Sequence, residues 1–147
     1  MYKIFIGSDH RGFELKEKIK NWLSEWDYEF EDCGAHEYNK DDDYPDFATA
    51  VAKSVLGHGV SKSRGILICG SGVGVTIAAN RFKGIRAGLA INPNQIRDSV
   101  NDENTNILAL SADYTPEAEA KEIIKSFLET RFSGEERHIR RINKLDV

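Results

Sequence analysis

The chain of 147 residues is long enough for one domain with a hydrophobic core and too short for two ordinary domains. Its 40% hydrophobic and 30% charged residues are typical of a globular protein, and its net charge of -4 argues against a general nucleic-acid-binding protein, which usually has a basic face. Two cysteines are too few for a disulfide framework, and no run of about 18 apolar residues indicates a membrane span. We therefore expect a cytoplasmic protein with neither a nucleic-acid nor a membrane partner.

Five short apolar stretches have the composition of β-strands, and a helical pattern follows each of them. The predicted strands cover residues 2–7, 28–33, 66–69, 84–91 and 106–110. The strand at 28–33 alternates aromatic and acidic side chains, which is typical of a partly exposed strand, whereas the strand at 84–91 is apolar enough for the sheet interior. This alternation predicts an α/β fold, a Rossmann-like three-layer αβα sandwich with a five-stranded parallel sheet.

The first predicted helix and the one after Pro116 have an apolar stripe at helical spacing among charged residues, the helix after the third strand has small and apolar residues, and those near residues 45 and 93 begin at prolines. The predicted helices begin near residues 13, 45, 75, 93 and 117, and a last short helix lies at about 134–146. We interpret residues 1–147 as a single domain. Because the last helix has little left to cover in its own chain, we expect it to pack on a second subunit.

The most informative stretch runs from Gly65 to Asn80. A buried strand ending at Cys69 is followed by glycines at every second position, Gly70, Gly72 and Gly74. Such glycines allow backbone amides to converge on an anion, and the N-terminus of the next helix would add its positive dipole end. The spacing differs from the dinucleotide and Walker motifs, so a small phosphate or a sugar oxyanion fits better than a nucleotide. A glycine-rich turn that only permits close packing is the alternative.

Three groups of side chains are candidates for chemistry. Cys69 alone would be interpreted as a small buried hydrophobe, but converging amides would stabilise its thiolate and make it a base usable near neutral pH. Asp9 and His10 follow the first strand and so lie at the same sheet edge as Cys69, which favours a joint site over a helix cap and a surface histidine. Arg137 and Arg141 lie one helical turn apart and form either a solvated face or a phosphate clamp.

Four segments together carry a specific resemblance. They are Gly7–Lys16, Asp43–Pro45, Ile68–Gly74 and Arg137–His138. In this combination the chain resembles the ribose-5-phosphate isomerase B family, which includes the galactose-6-phosphate isomerase subunits. The resemblance implies a homodimer, possibly pairing into a tetramer, with sites shared between subunits. It also implies interconversion of aldose and ketose phosphates through a cis-enediolate, with no metal or other cofactor.

The resemblance implies a role for each matching residue. Cys69 would be the base that removes the proton from C2 of the sugar and returns it at C1, with Ser71 and the loop amides stabilising the enediolate oxygen. Asp9 would hold or help to open the sugar, and Tyr44 would line the pocket. His10, Arg137 and Arg141 would bind the phosphate. The implied substrate-binding residues are His10, Tyr44, Gly70, Gly72, Val73, Gly74, Glu103, Arg137 and Arg141.

One region departs from the family pattern. The segment Asp102–Asn104 stands where such isomerases have His-Asn-Asp or His-Asn-Asn, and Asp113 stands where several members have arginine. These acidic residues, which we expect a partner subunit to place against the glycine loop, would each disfavour a phosphate by on the order of 1 kcal/mol. Either Asp102 replaces the ring-opening histidine, or the substrate is a different sugar or sugar phosphate. A binding subunit without turnover is the third hypothesis, which the intact Cys69 and Asp9 disfavour.

Overall fold

The predicted strands form one five-stranded sheet in the computed structural model, which describes residues 1–146. The strands are β1 (Lys3–Ser8), β2 (Phe30–Asp32), β3 (Ser63–Cys69), β4 (Ala87–Leu89) and β5 (Ile107–Ser111). The helices are α1 (Phe13–Glu25), α2 (Tyr44–His58), α3 (Val73–Ala79), α4 (Pro93–Glu103), α5 (Glu117–Glu129) and α6 (Glu136–Ile142). All strand pairs are parallel, in the order β2-β1-β3-β5-β4.

Helices cover both faces of the sheet, which confirms the Rossmann-like three-layer αβα fold. Alternate residues of the central strands β1, β3 and β5 point to opposite faces and belong to two separate apolar clusters. One cluster packs against α1, α4 and α5, and the other against α2 and α3. Because both sides are covered, every residue of β3 is buried. Among the helices of residues 1–146, none is long and apolar enough to cross a membrane.

The expectation that the fourth strand lies in the sheet interior is wrong, because β4 is an edge strand that pairs with β5 alone. Its three residues are only partly buried. On its open side the Asn80 side chain accepts a hydrogen bond from the Ala87 amide at 2.8 Å and donates one to the Ala87 carbonyl at 2.9 Å. A side-chain amide thus imitates a neighbouring strand, which protects an apolar edge from pairing with other chains.

Lys16 is one of the charged residues of α1, but it does not lie on the exposed face of the helix. Its side chain is fully buried. The ammonium group lies 2.7 Å from each carboxylate oxygen of Asp32 and 2.6 Å from the Ala35 carbonyl. The buried charge is therefore compensated by an ion pair and a further hydrogen bond, which hydropathy cannot indicate.

Because all strands run in the same direction, their carboxyl ends meet along one side of the sheet and their amino ends along the opposite side. We call the edge where the strands end, at Ser8, Cys69 and Ser111, the carboxyl edge, and the opposite one the amino edge. Helix α4 connects the parallel strands β4 and β5, so its last residues lie at the amino edge. The chain after α5 lies beside the end of α4, since the Ser133 amide donates to the Asn101 carbonyl at 3.1 Å. Helix α6 therefore lies at the amino edge.

Candidate active site

The glycine loop at the end of β3 lies at the carboxyl edge, between Cys69 and the start of α3 at Val73. The Cys69 side chain is buried and belongs to the apolar cluster beneath α2 and α3. Gly72 has a φ of +76°, and a Cβ there would lie 2.5 Å from Leu89 Cδ1 and 3.1 Å from the Leu110 backbone. Both the conformation and the space require glycine. The loop shape is thus fixed by the strands beside it.

Replacing Gly72 with alanine tests this constraint. We expect Gly72→Ala to destabilise the fold by about 1–3 kcal/mol, because the side chain adds backbone strain and a steric overlap. The matched control is Gly57→Ala in α2, where nothing lies within 4 Å of the added Cβ. Urea unfolding should show the control as stable as the wild type or up to about 1 kcal/mol more stable. Equal stability of the two variants would contradict the loop geometry.

Tyr44, which the resemblance assigns to the pocket, packs against the first turn of α3, directly after the glycine loop. The tyrosine is 38% exposed, and a Cβ on Gly74 would lie 2.8 Å from its ring atom Cε1. Tyr44 opens α2 and Gly74 lies in the first turn of α3, on the face of the sheet that Cys69 also occupies. Ser71 is exposed on the same loop, and its hydroxyl accepts a hydrogen bond from the Val73 amide at 3.3 Å. The structure therefore places Cys69 and Ser71 on one short loop and Tyr44 against the helix turn that follows it.

Asp9 and His10 follow β1 at the same edge. Asp9 Oδ1 accepts hydrogen bonds from the Arg11 and Gly12 amides at 3.0 and 3.1 Å, so this carboxylate caps the short 3-10 turn that leads into α1. His10 Nδ1 lies 2.7 Å from Asp42 Oδ1. The acidic run Asp41–Asp43 has the composition of a solvated loop, but the Asp42 side chain is only 8% exposed.

Among residues 1–146, Asp9, His10 and Asp42 form a cluster whose potential ligand atoms lie close enough together to bind one metal ion. One potential ligand atom of each lies within 4.8 Å of the others. Two carboxylates and an imidazole suit a divalent cation in principle. Here Oδ1 of each aspartate and Nδ1 of the histidine are already engaged in hydrogen bonds. These bonds account for the arrangement of the cluster.

Asp113 lies beside the loop of its own chain, which corrects the expectation that a second subunit places it there. The Asp113 amide donates to the Gly70 carbonyl at 3.0 Å. Its carboxylate forms an ion pair with Arg11, whose guanidinium covers Gly70 so closely that a Cβ there would overlap it. Sequence reasoning assigned no role to Arg11, because only the fold places the ends of β1 and β5 on either side of the end of β3. The Asp113 charge is therefore compensated.

The remaining predicted residues lie at the amino edge, away from Cys69 in the same chain. Asp102 and Glu103 end α4, and Asp102 Oδ1 is 3.7 Å from His138 Nε2 in α6. Arg137 pairs with Glu135 at 2.8 Å, and Arg141 is exposed. The structure thus separates the predicted site residues into two groups at opposite edges of the sheet.

Comparison with known protein families shows which family the chain belongs to. The sequence profile described as Ribose/Galactose Isomerase matches residues 4–145. The chain therefore belongs to the ribose/galactose isomerase family.

Relatives agree in sequence and in structure. The chain is 40% identical to a probable ribose-5-phosphate isomerase B of Mycoplasma genitalium over 98% of this chain and 93% of that one. It is 38% identical to ribose-5-phosphate isomerase B of Mycobacterium tuberculosis, with 97% and 87% covered. A ribose 5-phosphate isomerase structure from Thermotoga maritima superposes with a TM-score of 0.93 at 45% identity, with 99% and 97% covered. The structure of the Mycoplasma genitalium enzyme with bound ribulose-5-phosphate superposes with a TM-score of 0.93 at 40% identity. The superposition covers 98% of this chain and 93% of that one.

Proposed function

We propose that this protein is an aldose-ketose isomerase that interconverts ribose 5-phosphate and ribulose 5-phosphate. The observation that carries the proposal is the buried thiol of Cys69 at the end of the central strand, directly before a tightly fixed glycine loop and on the same side as Tyr44. A relative with the same fold at 40% identity binds ribulose-5-phosphate, which is the ketose of this pair.

The proposed reaction moves one proton between two carbons. The Cys69 thiolate removes the proton from C2 of the open-chain aldose, and the electron pair forms the C1–C2 double bond of a cis-enediolate while O1 takes the negative charge. The loop amides and Ser71 would stabilise that oxygen. The thiol then returns a proton to C1, and O2 loses its hydroxyl proton to O1 as the C2 carbonyl forms. No electron acceptor is needed.

We infer that a second copy of the chain completes each site. Cys69 lies at the carboxyl edge, whereas Asp102, Arg137 and Arg141 lie at the amino edge, so no single chain can bring them to one substrate. A two-fold symmetric pair can place the amino edge of one copy against the carboxyl edge of the other. Helix α6, which rests on its own chain through buried His138, would then present its exposed arginines to the partner.

Complementation of two defective variants tests this shared site. We expect Cys69→Ala and the double variant Arg137→Ala/Arg141→Ala each to be nearly inactive alone. After unfolding and joint refolding, half of the dimers contain one intact site, so activity should return to about a quarter of the wild-type value. Mixing Cys69→Ala with Cys69→Ser is the control and should stay inactive. No recovery in the first mixture would contradict shared sites.

A different sugar substrate is the second candidate, favoured by Asp102 and Glu103 at positions that the family resemblance assigns to the site. Asp113 adds less to this case than the sequence suggested, since Arg11 compensates its charge. Restoring histidine with Asp102→His should raise ribose-phosphate activity if Asp102 redirects specificity. An unchanged or lower activity would favour Asp102 as the working acid-base group.

The experiment that tests the proposed function uses the purified protein with a panel of aldoses and aldose phosphates. Ketose formation is followed by absorbance, and ribose 5-phosphate should give the highest kcat/KM. Turnover of another sugar but not ribose 5-phosphate would support the second candidate. No turnover of any sugar would leave only a sugar-phosphate-binding role.

A further inference from the structure

Asp42 is a residue of the candidate site to which the sequence motifs assigned no role, and it contacts His10 twice. Its Oδ1 accepts a hydrogen bond from the His10 amide at 2.9 Å and lies 2.7 Å from the ring atom Nδ1. The Asp42 side chain is 8% exposed and that of His10 is 24% exposed. The carboxylate is thus more deeply buried than the ring it contacts.

This contact decides how the imidazole can act. An ionised carboxylate only accepts hydrogen bonds, so Nδ1 must carry a proton. Nε2 is then the one ring nitrogen left for a substrate. A buried carboxylate is unfavourable unless donors or a cation compensate it, and Asp42 Oδ2 has no hydrogen-bond partner among residues 1–146. The paired His10 is therefore a main source of compensation for Asp42.

A second contact holds the ring from another direction. The Tyr38 ring meets His10 edge to face, with centroids 6.2 Å apart and planes at 84°. Tyr38 in turn makes an edge contact with Phe13 at 6.4 Å, at the start of α1. Aromatic contacts of this geometry are favourable and fix ring orientation. Asp42 and Tyr38 together restrict the rotation of the His10 ring.

We propose that Asp42 is a positioning residue that holds His10 to bind the phosphate of the substrate. With both ring nitrogens protonated, Nδ1–H keeps the bond to Asp42 while Nε2–H donates to a phosphate oxygen, which is a charge-assisted hydrogen bond. This inference rests on the proposed function, because it takes the substrate phosphate as the ligand of His10. Asp42 itself touches no reacting atom.

The test compares Asp42→Ala, Asp42→Asn and the matched control Asp41→Asn, which neutralises an exposed neighbour. Asp42→Ala should raise KM for ribose 5-phosphate roughly tenfold and change kcat by less than about threefold, since it weakens binding and leaves the chemical step intact. Inhibition by inorganic phosphate should weaken by the same factor. Asp42→Asn can keep both hydrogen bonds, so its KM should rise less, and Asp41→Asn should match the wild type.

Nitrogen-15 NMR of the His10 ring measures the protonation and hydrogen bonding of Nδ1, which would not change if Asp42 had only a structural role. The wild type and Asp42→Asn should show a protonated, hydrogen-bonded Nδ1, and Asp42→Ala should lose this signal. Thermal unfolding checks the fold of each variant, and Asp42→Leu, which also removes both hydrogen bonds, replaces the alanine variant if that variant does not fold. Wild-type KM and phosphate affinity in a folded variant that lacks both hydrogen bonds would overturn the inference. Weaker phosphate binding in Asp42→Ala without any ribose 5-phosphate turnover by the wild type would instead overturn the proposed function.

Discussion

Replacing Cys69 with alanine is expected to lower kcat for ribose 5-phosphate by about a thousandfold or more, because a positioned base contributes on the order of 100- to 10,000-fold. Substrate affinity should change little, since the phosphate and hydroxyl contacts are made by other groups. The side chain is small and buried, so the variant should fold with a loss of about 1 kcal/mol. Steady-state kinetics and substrate titration measure the two effects separately.

The other cysteine provides the matched control. Cys33 is partly buried near the end of β2, and its thiol lies 3.8 Å from the Ser54 hydroxyl, apart from the glycine loop. Burial raises the pKa of the Cys33 thiol, so it is a poor base at neutral pH. Cys33→Ala should keep full activity. Equal activity of the Cys69 and Cys33 variants would remove Cys69 from the mechanism.

Replacing Asp32 with asparagine is expected to destabilise the protein by about 3 kcal/mol at neutral pH, which is the lower end of the range for breaking a buried ion pair. The Lys16 ammonium is fully buried, and the Asp32 carboxylate, 15% exposed, contacts it through both oxygens. The Ala35 carbonyl would remain as a partner for Lys16, which keeps the loss from being larger. Urea unfolding followed by tryptophan fluorescence measures this difference.

The same pair predicts an acid dependence with a definite sign. Burial alone would raise the pKa of Asp32, but hydrogen bonds from Lys16, Lys20 and the Gly34 amide outweigh it and hold the pKa below its ordinary value. A lowered pKa in the folded state stabilises the protein above about pH 4, and this contribution is lost as the pH falls further. The difference in free energy of unfolding between the wild type and Asp32→Asn should therefore become smaller below about pH 4.

The control for this prediction is Glu31→Gln, one residue earlier on the same strand. Its exposed carboxylate lies 3.6 Å from Lys3, so its removal should cost less than about 1 kcal/mol. If Glu31→Gln and Asp32→Asn lower the free energy of unfolding by similar amounts, then the buried Lys16 ammonium does not depend on Asp32.

The sheet could be predicted from the sequence because buried parallel strands leave a clear apolar signal. The predicted boundaries differ from the observed ones where polar residues continue a strand. β3 begins at Ser63, three residues before its predicted start, because the Ser63 hydroxyl donates to the Val55 carbonyl and Arg64 donates to the Val60 carbonyl. Such buried polar residues are satisfied by local carbonyls, and hydropathy alone marks them as exposed.

The candidate site was predictable only where it depends on strand ends. Cys69, Asp9 and His10 follow from the rule that parallel strands end at one edge. The pairs Lys16 with Asp32, His10 with Asp42, and Arg11 with Asp113 join residues 16, 32 and 102 positions apart. No periodic pattern links residues at such separations, so these pairs required the structure.

The most direct test of the proposed mechanism is NMR of the wild type acting on ribose 5-phosphate in deuterium oxide. Proton transfer through Cys69 predicts that ribulose 5-phosphate gains solvent deuterium at C1 and ribose 5-phosphate gains it at C2 over many turnovers, with Cys69→Ala as the inactive reference. Full interconversion with no deuterium at either carbon would indicate a hydride shift and would contradict the enediolate account.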